Sequence, residues 1–229
     1  NQPQEVHITG TTMGMIGYNI KYLDKEQRMF KQQVDSLLAD FNQSLSTYIP
    51  DSDVSIFNQT GAVSFKYPYF YEVLLASQSV YAQTAGAFDP TVGPLIDAWG
   101  FGDGEMTGPD SAQVDSLLQF VGLPKIEFSE EGASTQQSGV KLNFSAIAKG
   151  QAIDVVAEWL MTQGITDYLV EIGREVRASG KTIEDELWTL GVETPDEESI
   201  GGLFDAIQLN DEGMATSGNY RNFRMVNGQ

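Results

Sequence analysis

Five short loops carry the groups with which this chain could do chemistry: residues 10–14 (GTTMG), 46–52 (STYIPDS), 86–94 (GAFDPTVGP), 145–150 (SAIAKG) and 215–220 (ATSGNY). Each offers backbone N–H groups freed from regular structure, and together they present Tyr, Phe and Met surfaces suited to a flat ring. The start of the helix at Ser145 is a place for a phosphate, with Lys149 one turn in as a point charge. Taken alone these residues have plainer readings. Lys149 is also an ordinary solvated helix lysine, and Asp154 on the same helix an ordinary surface carboxylate.

The densest of these stretches, residues 86–104, combines Gly and Pro with Phe88, Leu95, Ile96, Trp99 and Phe101. Gly and Pro at that frequency prevent a long helix or central strand. The apolar residues argue against a solvated linker. On composition, a packed structural loop and a ligand wall are equally good accounts. Leu95, Ile96, Trp99 and Phe101 are expected to anchor the loop in the core.

Several common chemistries are absent. There is no G-x-x-x-x-G-K-[ST] loop, and Gly100, Gly102 and Gly104 do not complete a dinucleotide fingerprint after a strand. Ser145 and Lys149 are not at S-x-x-K spacing. The stretch 103–115 lacks the alternating ligands of a calcium loop. With no Cys and only His7, thiolate chemistry, disulfides, multi-His metal sites and His-based triads fall away. The net charge of −19, from 32 acidic against 13 basic residues, disfavours nucleic acid and anionic membrane as partners. It also opposes an anionic ligand unless local groups or a divalent cation intervene.

The elements that must position these loops alternate between two periods. Residues 5–10 and 16–23 read as an antiparallel strand pair, on the alternation of Tyr18, Ile20 and Tyr22. Phe30, Val34, Leu37, Leu38, Phe41 and Leu45 mark a one-faced helix over residues 25–45. Asp53 is placed to cap a short helix, and residues 68–84 form a second amphipathic helix. Asp110 caps a third, short one, stopped by Gly122 and Pro124. Residues 125–128 and 140–144 read as strands around an exposed polar loop. Ser145 then caps a long helix that ends at Gly164. Strands follow at 168–172, 175–178 (these two being one bent strand or a pair), 187–193 and 203–209. Asn227-Gly228 is a hairpin signal with only Gln229 beyond it, so the chain reads as cut there. The class is α+β: mixed and antiparallel sheets packed with amphipathic helices, in one domain over residues 1–229.

Taken in order, TTMGM (11–15), STYIPDSDVSIFN (46–58), GAFDPTVGPLIDAWGF (86–101), NFSAIAKGQAID (143–154) and ATSGNYRNF (215–223) resemble the ApbE family of FAD:protein FMN transferases. The resemblance covers nearly the whole chain. It implies a magnesium-dependent enzyme that splits FAD at its pyrophosphate. FMN would go to a Ser or Thr of a target flavoprotein, a redox-complex subunit, with release of AMP. By the same resemblance Met13, Tyr48, Ala87, Phe88, Asp89 and Lys149 are expected FAD contacts. The carbonyl of Ala146 is an expected Mg²⁺ ligand, and Asp154 and Ser217-Gly218 are expected near the cofactor. The family pattern continues into a segment with a His and the remaining metal ligands, which does not occur before Gln229. These 229 residues are therefore expected to be impaired, with no catalytic base to name. Arg174 stands where the family usually has a second Gly.

Two other activities fit the same motifs: FAD hydrolysis to FMN and AMP, and FAD binding or carriage without turnover. Family habit also implies export, with a lipid anchor upstream holding the protein at the periplasmic face of the inner membrane. A cytoplasmic form is the alternative. A non-flavin reading, an acidic interaction module with merely structural glycine loops, is the remaining competitor.

Overall fold

The alternation at Tyr18, Ile20 and Tyr22 becomes the second strand of a five-stranded antiparallel sheet, with all three side chains buried on one face. A computed structural model describes residues 2–101, 108–194 and 202–217 of the chain. Its Cα positions group into two compact units, Asn1–Asp35 with Ala152–Gln229, and Ser36–Gln151. The division falls inside two helices.

In the first unit, β1 (Gln4–Thr12) and β2 (Ile16–Asp24) pair in register, joined by the three-residue loop Met13, Gly14, Met15. After β6 (Tyr168–Ile172), β7 (Glu175–Ser179) and β10 (Glu212–Met214), the sheet order is β1-β2-β6-β7-β10. Gly10 faces Tyr18 across the first pair, and a Cβ there would sit 2.5 Å from the phenol ring. Only glycine lets that ring lie across the neighbouring strand. The hairpin β8 (Trp188–Glu193) and β9 (Leu203–Leu209) packs Trp188 and Leu209 against Leu169, Val176 and Ala178 of the sheet.

The first helix is shorter than its apolar spacing suggests. α1 runs Lys31–Leu45, and residues 25–30 stay out of it. The cause is local: Asp24 accepts from the N–H groups of Glu26 and Arg28 and from the Arg28 guanidinium, while the Tyr22 hydroxyl bonds Arg28 O and Phe30 N. Side chains thereby take the peptides a helix would use.

In the second unit, α2 (Asp53–Thr60) follows the 46–52 turn. Its cap is Ser52, whose Oγ accepts from Ser55 N; Asp53 is instead the first helical residue, and buried. α3 (Tyr69–Gln83) buries Phe70, Val73, Leu74 and Ser77. The 86–101 stretch contains one short helix, α4 (Gly93–Ala98), entered through Pro94. α5 (Ser111–Leu118) opens with the full capping box of Asp110 and Gln113. A small sheet of order β3-β5-β4 joins β3 (Ala62–Ser64), β4 (Glu127–Ser129) and β5 (Gly132–Ser134). Part of the polar tract expected to be a plain loop is therefore β5. α6 (Ala148–Thr162) ends on Gly164, whose φ of 81° is the left-handed conformation a C-terminal stop uses.

Among the described residues every pairing between named strands is antiparallel, and helices accompany strands in each unit, so the fold is α+β. Residues 168–172 and 175–179 are a paired hairpin, which settles the choice against one bent strand. Asn227-Gly228 lies outside the described residues.

Candidate functional site

The second unit brings three of the five loops to one piece of backbone, residues 140–144. Val140, Leu142 and Phe144 are buried and alternate with half-buried Lys141 and Asn143. That is strand periodicity, yet the segment is no strand; among the described residues it makes a single isolated parallel bridge, from Lys141 to Val92. Side chains and a loop do the work of neighbouring strands. On one side, Asn58 near the end of α2 donates from Nδ2 to Leu142 O (2.9 Å) and accepts from Leu142 N at Oδ1 (2.7 Å). On the other, Asn143 N donates to Pro90 O (2.8 Å). Gly93 lies so close that a Cβ there would meet Lys141 Cβ and O at 2.8 Å.

The 86–94 loop is itself tied down by Asp89. Its Oδ1 accepts from Thr91 N (2.8 Å) and Thr91 Oγ1 (2.5 Å), and its Oδ2 from Leu123 N (3.1 Å). The buried Thr91 Oγ1 accepts in turn from Gly122 N (2.6 Å). Asp89 thus has a structural task that the sequence did not reveal. The expected core anchors differ as well: Trp99 is 40% and Phe101 57% exposed, so neither is a core residue. Both follow the C-terminus of α4, whereas Thr91 before it and Pro94 in its first turn are buried.

Beside this backbone lies a cavity of about 370 Å³, walled by Tyr48, Asn58, Asp97, Lys141 and Asn143 among others. Tyr48 is 75% exposed at its rim. Lys141 Nζ donates to Asp97 Oδ2 (2.8 Å), which offsets the one lysine of the wall with a carboxylate. Downstream, Phe144 O accepts from Ile147 N (2.9 Å) and Ala148 N (2.8 Å), winding the chain into α6. Ser145 does not cap this helix with its side chain as expected; Asn143 Oδ1 accepts from Ser145 N (2.9 Å) and shapes the turn. Ala146 is exposed in that turn, and Lys149 is half-buried at the second position of α6.

Of the expected FAD contacts, Tyr48, Ala87, Phe88, Asp89 and Lys149, together with Ala146, all lie in this second unit. Ala87 is exposed and Phe88 half-buried; their N–H groups bond to Thr84 O and Thr84 Oγ1. Met13 belongs to the first unit, at the left-handed φ of 48° in the β1–β2 loop. Asp154, also there, pairs with Arg177 (2.8 Å). Arg174 borders a cavity of about 510 Å³ in that unit, with Glu171, Gly173, Thr216 and Ser217. Gly218 lies outside the described residues.

Asn58, Thr91, Asp97 and Lys141 were not singled out from the sequence. Asn58 had a signal: an Asn next to buried Phe57 inside a short helix is a poor helix former and needs a reason to be there. Among the described residues no three His, Asp or Glu side chains gather as a metal site. The Ala146 carbonyl would be one ligand of an oxygen shell that these residues do not complete.

A family model described as the ApbE family matches residues 10–229. A Vibrio cholerae protein named FAD:protein FMN transferase is 35% identical over 232 residues, covering 96% of this chain and 68% of the relative. A Haemophilus influenzae protein of the same name is 35% identical over 238 residues, covering 98% and 68%. Among solved structures, the flavin transferase ApbE from Vibrio cholerae matches with a TM-score of 0.85 and 31% identity, over 98% of this chain and 74% of that one. The apo form of the Pseudomonas stutzeri flavinyl transferase ApbE matches with a TM-score of 0.84 and 30% identity, over 99% and 73%.

Proposed function

The chain belongs to the ApbE family, and from that premise we propose that it moves FMN from FAD onto a Ser or Thr hydroxyl of a target flavoprotein. It is a transferase enzyme, as its relatives are. The acceptor oxygen forms a bond to the FMN phosphorus, the bridging P–O bond breaks, and AMP leaves with the bridging oxygen. The hydroxyl proton is released; no side chain is assigned as its base. The observation that carries this reading is the convergence of the 46–58, 86–94 and 143–150 segments on one backbone stretch beside a cavity.

Phosphoryl transfer depends chiefly on positioning and charge stabilisation, and a rigid backbone cradle suits that need. Lys149 in the first turn of α6 adds its charge to the helix N-terminus, which favours a phosphate in an otherwise acidic chain. Tyr48 and Phe88 offer ring faces. Mg²⁺ would neutralise pyrophosphate charge, with the Ala146 carbonyl as one ligand. The proposal extends to a lipid-anchored, periplasmic setting on the resemblance alone; no described helix is long and apolar enough to cross a membrane.

Incubation with FAD, Mg²⁺ and a flavoprotein acceptor tests the reading. Covalent, flavin-fluorescent acceptor and stoichiometric AMP are expected. AMP without labelled acceptor would select the hydrolase. FAD binding with neither product would select the carrier. Calorimetry showing no FAD binding with or without Mg²⁺ would remove the flavin reading of these residues.

A further inference from the structure

Asn58 makes two hydrogen bonds to one residue, donating to Leu142 O and accepting from Leu142 N. That is the exchange by which two residues pair in an antiparallel ladder. A single carboxamide thus stands where a neighbouring strand's peptide would be. Leu142 lies two residues before Phe144, whose carbonyl receives Ile147 N and Ala148 N and so starts the turn holding Ala146 and Lys149. Resting on the reading of this site as an FAD site, we infer that Asn58 is a positioning residue for FAD. It sets the path of residues 142–144 and, through them, the placement of Ala146 and Lys149.

The plainer alternative is that the clamp only stabilises the fold. Phe144 is independently anchored, packing edge-on to Phe70 at 5.4 Å between ring centroids, and it could insulate the turn from Asn58. The two accounts differ in what happens in molecules that remain folded. With a positioning role, losing the clamp lets Leu142 shift, and the Ile147 and Ala148 amides open more often. With a stabilising role, only the global unfolding equilibrium moves. Asn58 is partly buried on the wall of the cavity, so a small change there need not disturb the core.

The test compares Asn58→Ala, Asn58→Asp and Val73→Ala in the full chain at low temperature. Val73 is a buried residue of α3, and its truncation lowers stability without touching the clamp. Calorimetry with FAD and amide exchange at Ile147 and Ala148 are the two readouts. Both Asn58 variants are expected to weaken FAD binding about tenfold or more, with exchange at those amides faster by a similar factor, while Val73→Ala leaves both within about twofold. Unchanged FAD affinity in the folded Asn58 variants overturns the inference. Should Asn58→Ala not fold, Asn58→Asp, which keeps an acceptor for Leu142 N, carries the test. If the unsubstituted chain binds no FAD, the functional reading falls by itself, and exchange alone decides: accelerated amides retain the positioning role, unchanged amides remove it.

Discussion

In the unit formed by Asn1–Asp35 and Ala152–Gln229, the strands β1, β2, β6, β7 and β10 satisfy one another's peptides. In Ser36–Gln151 side chains satisfy several peptides in and around the 86–94 and 140–145 segments: Asn58 on Leu142, Asp89 on Leu123 and Thr91, Thr91 on Gly122 and Asn143 on Ser145. A ladder bond survives a change of side chain; a clamp does not. The first unit should therefore be most sensitive to lost apolar volume, and the second to lost polar atoms. The same contrast appears in two buried carboxylates. Asp24 in the first unit is held by Arg28, whose hydrogen bonds bring its pKa to about 2. Asp53 in the second has Lys66 N on Oδ2 and an Oδ1 with no hydrogen-bond partner among the described residues, and burial pushes its carboxyl up.

The sharpest break would come at Ile20, buried in the centre of the five-stranded sheet. Ile20→Ala is expected to cost about 2–5 kcal/mol in denaturant unfolding, with the residual fold intact. In the other unit, Asp89→Ala removes acceptors for two backbone N–H groups and one hydroxyl and should cost about 2–3 kcal/mol. A loss under about 0.5 kcal/mol would mean the clamps are decorative and would erase the contrast.

Acid titration sharpens it further. Asp24 has a depressed folded pKa, so its contribution is present above the unfolded value and lost as pH falls toward about 2. Asp24→Asn should cost about 1–2 kcal/mol at neutral pH, allowing for the partial exposure of Arg28. Asp53 has the opposite sign: its stabilisation is present below the unfolded value and lost as pH rises through the raised folded pKa. Asp53→Asn should leave neutral-pH stability equal or improved, and melting curves across pH would show the two variants diverging in opposite directions. A modest effect is expected for Trp99→Ala. At 40% exposure it should cost about 1–2 kcal/mol, below Asp89→Ala. A larger loss for Trp99 than for Asp89 would restore the core-anchor role that composition suggested.

Much of this was legible in residue order. The strand pair β1–β2, the helices α1, α3 and α6, the capping box at Asp110 and the stop at Gly164 follow from periodicity and end signals, which are local physics. The stretch 140–144 shows where that reading stops. Its alternation of Val140, Leu142 and Phe144 correctly marks which side chains are buried. Alternation reports burial of one face, however, not what occupies the flanks, and here the flanks are an amide and a loop. Likewise Asp24 and Tyr22 truncate α1 through bonds that no apolar spacing registers.

The family motifs and the α+β class were set by the chain's residue types and their order; the expected FAD contacts Met13, Tyr48, Ala87, Phe88, Asp89 and Lys149 and the expected Mg²⁺ ligand Ala146 came from the resemblance those motifs carry. Only the tertiary structure decided that Asn58, Lys141 and Asp97 share a cavity wall with Tyr48. It alone turned Trp99 outward and gave one oxygen of Asp89 to Thr91 within the loop and the other to the backbone of Leu123. The reason is separation along the chain. Asn58 and Leu142 are 84 positions apart, and Asp89 and Leu123 are 34. A polar side chain's partner at such distances leaves no trace in local pattern, because any nearby peptide could satisfy it equally well.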